Sequence, residues 1–333
     1  MNTTTTTTTT SPPPVVDVHA HMTVQRFRDA IGRNECWHGM TAADGELDNP
    51  RNHYSVARRL EEMDRMGVDI QLVSPTDAFY QYRQDPATTA AIAREVNDEL
   101  AELKRAHPTR FGALGTLPMQ DPDLAVAEIV RGMRDLDLNG FMIEDHVNGL
   151  TYDSPVFGPV WQAAEELGAF LLIHQNMRTS VAYRSRSYFL PNSIGNLVDR
   201  AITFATFVYG GVMDDYPDLK ICLGHAGGYT PYALDRLDHG WHVWPWSRGR
   251  ITAPPSTYAS RFYYDSVTYQ ARTLRFLIDV VGADRVMLGT DWPAPMAIDD
   301  PVEWLTEQTV LSAAEKDLIL RGTAASLFDR VSA

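Results

Sequence analysis

Five side chains in this sequence have the chemistry to hold a metal ion or move a proton: His19, His21, His174, His225 and Asp291. His19 and His21 close the stretch Val15-Val16-Asp17-Val18-His19-Ala20-His21, whose apolar residues around Asp17 predict a short buried strand. Alternate side chains of an extended chain point to the same side, so imidazoles at i and i+2 can grip one cation together. Two donors do not complete a coordination sphere, and His174 and Asp291 are the candidates to extend it. Three imidazoles and a carboxylate suit a single Zn2+ ion, or a similar divalent ion such as Mn2+. An additional open position would hold a water whose pKa the metal lowers from about 16 to about 7. His225 lies in Gly224-His225-Ala226-Gly227-Gly228, where glycine lets the chain approach a ligand closely. It reads as an acid–base residue, with Asp291 as its partner in proton handling. The alternative is an ordinary turn residue.

Each of these residues sits at the end of an apolar run, and those runs must position them. Strand-like segments cover residues 15–18, 68–73, 111–117, 140–143, 169–173, 219–223, 262–265 and 285–289. Helical periodicity fills the gaps: 56–66, 86–107, 121–136, 154–167, a long apolar helix ending near 213, 232–242 and 273–281, with two helices after the last strand. Eight strands alternating with helices imply parallel pairing and a (β/α)8 TIM barrel. A doubly wound open sheet is the alternative, but no Gly-x-Gly-x-x-Gly run follows the first strand. In a barrel of this kind chemistry gathers at the C-terminal ends of the strands, where the five residues fall.

The composition is compatible with one large barrel. The chain has 333 residues, 44% of them hydrophobic, which is enough for a sizeable core. A net charge of −14 argues against a duplex nucleic-acid partner and against an anionic membrane surface. No apolar run of about 18 residues predicts a membrane span. Two cysteines, Cys36 and Cys222, provide no disulfide framework and fit a reducing cytoplasm. Residues 1–14, a Thr tract followed by Ser11 and three prolines, lack the regions of a secretory signal and are expected to be a disordered tail. The barrel would then occupy residues 15–333. Within it, residues 22–55 lose clear periodicity and read as an insertion or lid.

Taken together, Asp17-Val18-His19-Ala20-His21, Gly115-Thr116-Leu117-Pro118-Met119-Gln120, Ile173-His174, Gly224-His225-Ala226-Gly227-Gly228 and Gly289-Thr290-Asp291-Trp292-Pro293 resemble the amidohydrolase superfamily. The branch they are most similar to is that of aminocarboxymuconate-semialdehyde decarboxylase, with resorcylate and carboxyvanillate decarboxylases among its relatives. The segment 207–242 carries features of that branch, including Gly210-Gly211-Val212 and Leu237-Asp238-His239-Gly240. The resemblance implies His19, His21, His174 and Asp291 as metal ligands and His225 as the catalytic histidine. It also implies a small insertion after the first strand, and a homodimer in which an arginine, here Arg236, reaches the neighbouring active site. This sequence departs from the branch at Glu144-Asp145 after the fourth strand, where Glu144 opens the prospect of a bridging carboxylate and a second metal. Arg51 is the counterpart considered for a substrate arginine, and Asn192 stands where the branch has an aromatic residue against the substrate.

His146, next to the fourth-strand carboxylates, is a further candidate for substrate contact. Arg178, Arg184 and Arg186 offer guanidinium forks for a carboxylate, or form a solvated basic loop. Trp241, Trp244 and Trp246 suggest a lid, a dimer contact or packing on the barrel's outer face. The expected activity is metal-dependent, non-oxidative decarboxylation of a small unsaturated or aromatic carboxylic acid. The alternative is a metal-dependent hydrolase or hydratase acting on a lactone, amide or ring carbonyl, and Glu144 motivates it. A non-enzymatic binding barrel would not require metal-capable residues at so many strand ends.

Overall fold

The structure is a computed structural model that describes residues 12–45, 47–175 and 178–328. Its strands are β1 (Val16–Met22), β2 (Ile70–Pro75), β3 (Phe111–Gly115), β4 (Gly140–Ile143), β5 (Phe170–Ile173), β6 (Lys220–Leu223), β7 (Tyr263–Asp265) and β8 (Val286–Met287). They lie side by side in chain order, and every neighbouring pair is parallel. The ends of the sheet approach through a parallel bridge between Ala20 and Trp292. The Val18 amide donates to the Leu288 carbonyl at 2.9 Å, and His21 to that of Trp292 at 2.6 Å. This is the nearly closed (β/α)8 barrel expected from the alternation. β5 is a continuous apolar run, and β6 is apolar after its first residue, Lys220, in keeping with strands covered on both faces.

The helices start where local chemistry allows. Ser55 accepts from the Arg58 amide to open Val56–Met66, and Gly67, at φ 72, ends it in a left-handed turn. Asp85 and Asp121 cap Pro86–Ala106 and Pro122–Arg134, each with proline in the first turn. The long apolar helix expected to reach residue 213 is instead two, Asn196–Tyr209 and Val212–Asp215. Gly211 separates them at φ 75, a conformation glycine adopts without penalty. After β8 there are two helical segments, as expected: Pro301–Thr306, and Ala313–Asp317 continued without a break through the π-helical turn Leu318–Gly322 into Thr323–Leu327. β8 itself is short because the Leu288 amide turns to the Ile319 carbonyl at 2.8 Å instead of continuing the ladder.

Most of the Thr/Pro-rich start, residues 1–11, lies outside the described residues. The segment after β1 contains the helix Gln25–Gly32 and two single turns, Ala42–Asp44 and Pro50–His53. Phe27, Trp37 and Phe79 pack as three mutually edge-on rings with centroids 5.6 to 6.0 Å apart, anchoring the segment to the barrel. Cys36 is exposed, Cys222 is buried in β6, and both are free thiols.

Candidate metal centre

β1 delivers His19 and His21 to one side, and their Nε2 atoms stand 3.0 Å apart. His174 follows β5, His225 follows β6 and Asp291 follows β8. Asp291 Oδ1 lies 3.1 Å from His21 Nε2, 3.4 Å from His19 Nε2 and 3.8 Å from His174 Nε2. Its other oxygen is 3.4 Å from His225 Nε2. The structure therefore brings together all five residues singled out from the sequence. One donor atom from each of His19, His174, His225 and Asp291 falls within a 4.8 Å cluster.

The outer nitrogens fix what the inner ones offer. His19 Nδ1 is 2.6 Å from Asp265 Oδ2, His21 Nδ1 is 3.2 Å from the Pro75 carbonyl and 2.9 Å from Ser74 Oγ, and His174 Nδ1 is 3.1 Å from the Gln175 carbonyl. Carboxylates and carbonyls only accept, so each Nδ1 donates. In a neutral ring the Nε2 is then a lone pair. Three lone pairs and a carboxylate face one point. Among the described residues, buried His174 Nε2 has no hydrogen-bond partner. Such a donor set fits a divalent cation and, at these separations, is mutually repulsive without positive charge at its centre.

The electrostatics agree. Burial disfavours a charged His19, but hydrogen bonds to Asp265 and Asp291 outweigh it and push its pKa up to about 10. Burial lowers His21 and drives His174 well below the ordinary histidine range. Burial also opposes ionisation of Asp291, yet the surrounding imidazoles, His174 first, hold it well below the usual carboxylate range. The centre favours two neutral imidazoles, a carboxylate and one positive charge. Backbone geometry is unusual here too: His225, Ala226 and Asp291 have φ of 54, 56 and 62.

A buried network under the site escaped the sequence reading. Asp17 accepts from Gln71 Nε2 at 2.8 Å, Thr290 Oγ1 at 2.7 Å and the His19 amide at 3.1 Å. Arg59 donates to Gln71 Oε1 and to the His21 carbonyl, both at 2.8 Å, and lies over the Trp292 ring. A cation on the apolar face of the 56–66 helix was the available signal for Arg59. Asp265 could have been found by the criterion that selected Asp291, a carboxylate at the mouth end of a strand.

The centre opens into two lobes of a cavity. The larger, about 630 Å³, is lined by Asn192, His225, Tyr229, Val267, Phe276 and Asp291 among others. The smaller, about 160 Å³, includes His21, Asn49, Asn52, His174, Gln175 and Asp291. Among the described residues lining the lobes there is no lysine or arginine.

The other expected residues are placed as follows. Asn192 borders both lobes. Arg51 borders neither; its guanidinium pairs with Asp299 at 2.8 and 3.1 Å, which draws it away from the cavity. Arg236 is exposed on the helix Thr230–Val243. His146 and Glu144 line a separate pocket of about 270 Å³, together with Asp77 and Arg178. His146 accepts from the Gly149 amide at 3.2 Å. Glu144 is outside the donor cluster, and burial followed by repulsion from Asp145 pushes its pKa up to about 9. Its place in a separate pocket, away from the converging donors, removes the observation behind a bridging ligand. Asp145 pairs with buried Arg200 at 2.9 Å, and Arg200 reaches Gln175 Oε1 at 3.3 Å. Arg184 and Arg186 are exposed. Trp244 and Trp246 stack on each other at the surface, and Arg248 lies over Trp241. Among the described residues no helix is long and apolar enough to cross a membrane.

A family model described as amidohydrolase matches residues 16–330. The chain is 31% identical over 268 residues to 2-amino-3-carboxymuconate-6-semialdehyde decarboxylase of Dictyostelium discoideum, covering 80% of this chain and 74% of the relative. It is 32% identical over 289 residues to gamma-resorcylate decarboxylase of Rhizobium sp. (strain MTP-10005), covering 81% and 86%. Among solved structures, 5-carboxyvanillate decarboxylase from Sphingomonas paucimobilis superposes with a TM-score of 0.84 at 30% identity, covering 95% of this chain and 99% of the other. Dihydroxybenzoic acid decarboxylase from Polaromonas sp. JS666, solved with manganese and 2-nitroresorcinol, has a TM-score of 0.83 at 26% identity, covering 95% and 97%.

Proposed function

We propose that this chain, which belongs to the amidohydrolase family, is a metal-dependent enzyme that removes CO2 from an aromatic or unsaturated carboxylic acid without oxidation. The observation that carries this reading is the convergence of three Nε2 lone pairs and Asp291 beside His225, at the base of a largely apolar cavity. The relatives named for resorcylate, carboxyvanillate and aminocarboxymuconate semialdehyde support the substrate class.

His19, His21, His174 and Asp291 would hold one divalent ion. Imidazole donors suit Zn2+, and the manganese-bound Polaromonas relative supports Mn2+ as the other ion to test. When bound, the ion supplies positive charge that fixes and polarises substrate oxygens. The remaining work belongs to side chains. His225, with Asp291 Oδ2 3.4 Å from its Nε2, is the residue proposed to deliver a proton to the carbon that bears the carboxylate. As the C–H bond forms, the C–C bond breaks and its electron pair stays with the ring; the products are CO2 and the protonated ring. Aromatic and aliphatic walls such as Tyr229, Val267 and Phe276 offer a low-dielectric surface to the ring, which strengthens charge interactions beside it. Asn192 gives the cavity a hydrogen-bonding group.

Among the described residues no lysine or arginine lines the lobes, so the substrate carboxylate needs the metal or a neighbour. Arg236, exposed on its helix, is the residue proposed to serve the adjacent subunit of a homodimer. Residues 15–333 form one catalytic domain in this reading. The 22–55 segment closes one side of the cavity through Asn49 and Asn52, and Asn49 donates to the Pro293 carbonyl at 2.7 Å. Free thiols at Cys36 and Cys222 are in keeping with a cytoplasmic location.

The test is CO2 release, under nitrogen and without added nucleotide, from a panel of hydroxylated benzoates by protein loaded with Zn2+ or with Mn2+. His225→Asn should retain the metal and lose about 10²–10⁴-fold in kcat. A product that gains water instead of losing CO2 would overturn the reaction class. Loss of metal in the variant would make His225 a ligand instead of the proton donor.

A further inference from the structure

We propose that Asp265 is the positioning residue that couples His19 to the turn carrying His225, so that one buried carboxylate orients both a metal ligand and the proton donor; this rests on the metal-site reading above. Asp265 ends β7 and is fully buried. Its Oδ2 accepts from His19 Nδ1 at 2.6 Å and from the His225 amide at 2.7 Å. Its Oδ1 accepts from the amides of Ala226 at 2.8 Å and Val267 at 3.0 Å. Four donors thus fill the four lone-pair directions of one carboxylate.

Each bond has a consequence. A proton held on Nδ1 leaves His19 Nε2 as a lone pair facing His21 and Asp291. The two amide bonds from His225 and Ala226 hold residues whose φ values, 54 and 56, a free chain rarely adopts. Among the described residues, His21 and His174 have only neutral partners on Nδ1, so His19 alone of the three imidazoles shares its anchor with the His225 turn. The packing leaves room for this pair and little else. A Cβ at Gly289 would stand 2.7 Å from the Asp265 Cβ and 3.1 Å from the His19 Cβ.

An asparagine at 265 cannot make the same four bonds. With its oxygen toward Ala226 and Val267, its NH2 faces His19 Nδ1 and drives that ring to the tautomer whose Nε2 carries hydrogen. Turned over, it opposes the amides of Ala226 and Val267 and loosens the turn. Asp265→Asn should therefore weaken Zn2+ binding by about 10–100-fold in a chelator competition. At saturating Zn2+ it should still show lowered kcat with little change in KM. In zinc-loaded wild-type protein with 15N-labelled histidine, the His19 Nδ1 should carry a proton displaced far downfield.

Zn2+ binding by Asp265→Asn as tight as in the wild type would overturn the proposal. So would a wild-type His19 whose Nδ1 bears no proton, a result that stands even where the variant fails to fold. A wild-type chain that takes up no divalent ion would bring down the metal-site reading itself, and this inference with it.

Discussion

Glu144 and Asp291 are both carboxylic acids just past the end of a barrel strand, and both are more than nine-tenths buried. They end in opposite states. Asp291 is surrounded by imidazoles, and these hold it ionised against its own desolvation. Burial first, then repulsion from Asp145, with Arg178 opposing and Asp77 and Asp199 adding, pushes the Glu144 pKa up to about 9. Position on the fold and depth of burial are shared; the neighbours decide which acid can be a ligand. A strand-end carboxylate is therefore a metal candidate only when the adjacent strand ends bring it cationic or cation-seeking partners.

The largest expected effect tests the ionised member of that pair. Asp291→Asn should lower kcat/KM by at least about 10²–10⁴-fold and reduce bound metal, read by steady-state kinetics and elemental analysis. Wild-type activity in this variant would erase the distinction between the two acids.

An intermediate effect concerns charge brought from outside the chain. Arg236→Ala and His225→Asn should each be nearly inactive alone. Mixed and allowed to reassort, they should regain up to about one intact site in four, because each heterodimer has one site with both groups. Heterodimers as inactive as their parents would confine Arg236 to its own subunit.

The smallest expected effect concerns the neutral acid. Glu144→Gln replaces an uncharged acid with an uncharged amide, so metal content should not change and turnover should stay within about twofold at pH 7. Stability should respond to pH with a defined sign. Folding raises the Glu144 pKa from an ordinary 4.5 to about 9, so its contribution is fully present below about pH 4.5 and is lost as pH rises toward 9. The melting temperature of the wild type should therefore fall relative to Glu144→Gln across that interval. A constant difference between pH 5 and 9 would show that Glu144 ionises normally.

The barrel and the candidate ligand residues were legible because both depend on local pattern. His19 and His21 announce themselves by a two-residue spacing in a strand, and His174, His225 and Asp291 each end or closely follow a short apolar run. What organises those residues was less visible. Asp265 acts on His19, 246 positions away in the chain, and only closure of the barrel makes them neighbours. Arg51 looked available for a substrate until Asp299, 248 positions away, turned out to hold it. The neutrality of Glu144 depends on which acids pack around it, a property of loops whose paths the sequence pattern does not define. The break at Gly211 falls inside a run that stays apolar on both sides, Phe207-Val208 and Val212-Met213, so periodicity alone carries the helix through it.

The left-handed backbone at His225, Ala226 and Asp291 has a bearing on how this protein can change. For residues with a side chain that conformation is unfavourable by roughly 1–2 kcal/mol each, against a net folding stability of about 5–15 kcal/mol for a typical domain. Two of the three strained positions carry side chains proposed to do chemistry. Glycine would relieve the strain at His225 or Asp291, and would delete an imidazole or a carboxylate in doing so. Selection for heat resistance alone would thus favour, at the mouth of the barrel, substitutions that extinguish activity. A lineage kept under selection for turnover must instead gain its robustness elsewhere, in the caps and helix faces remote from the metal.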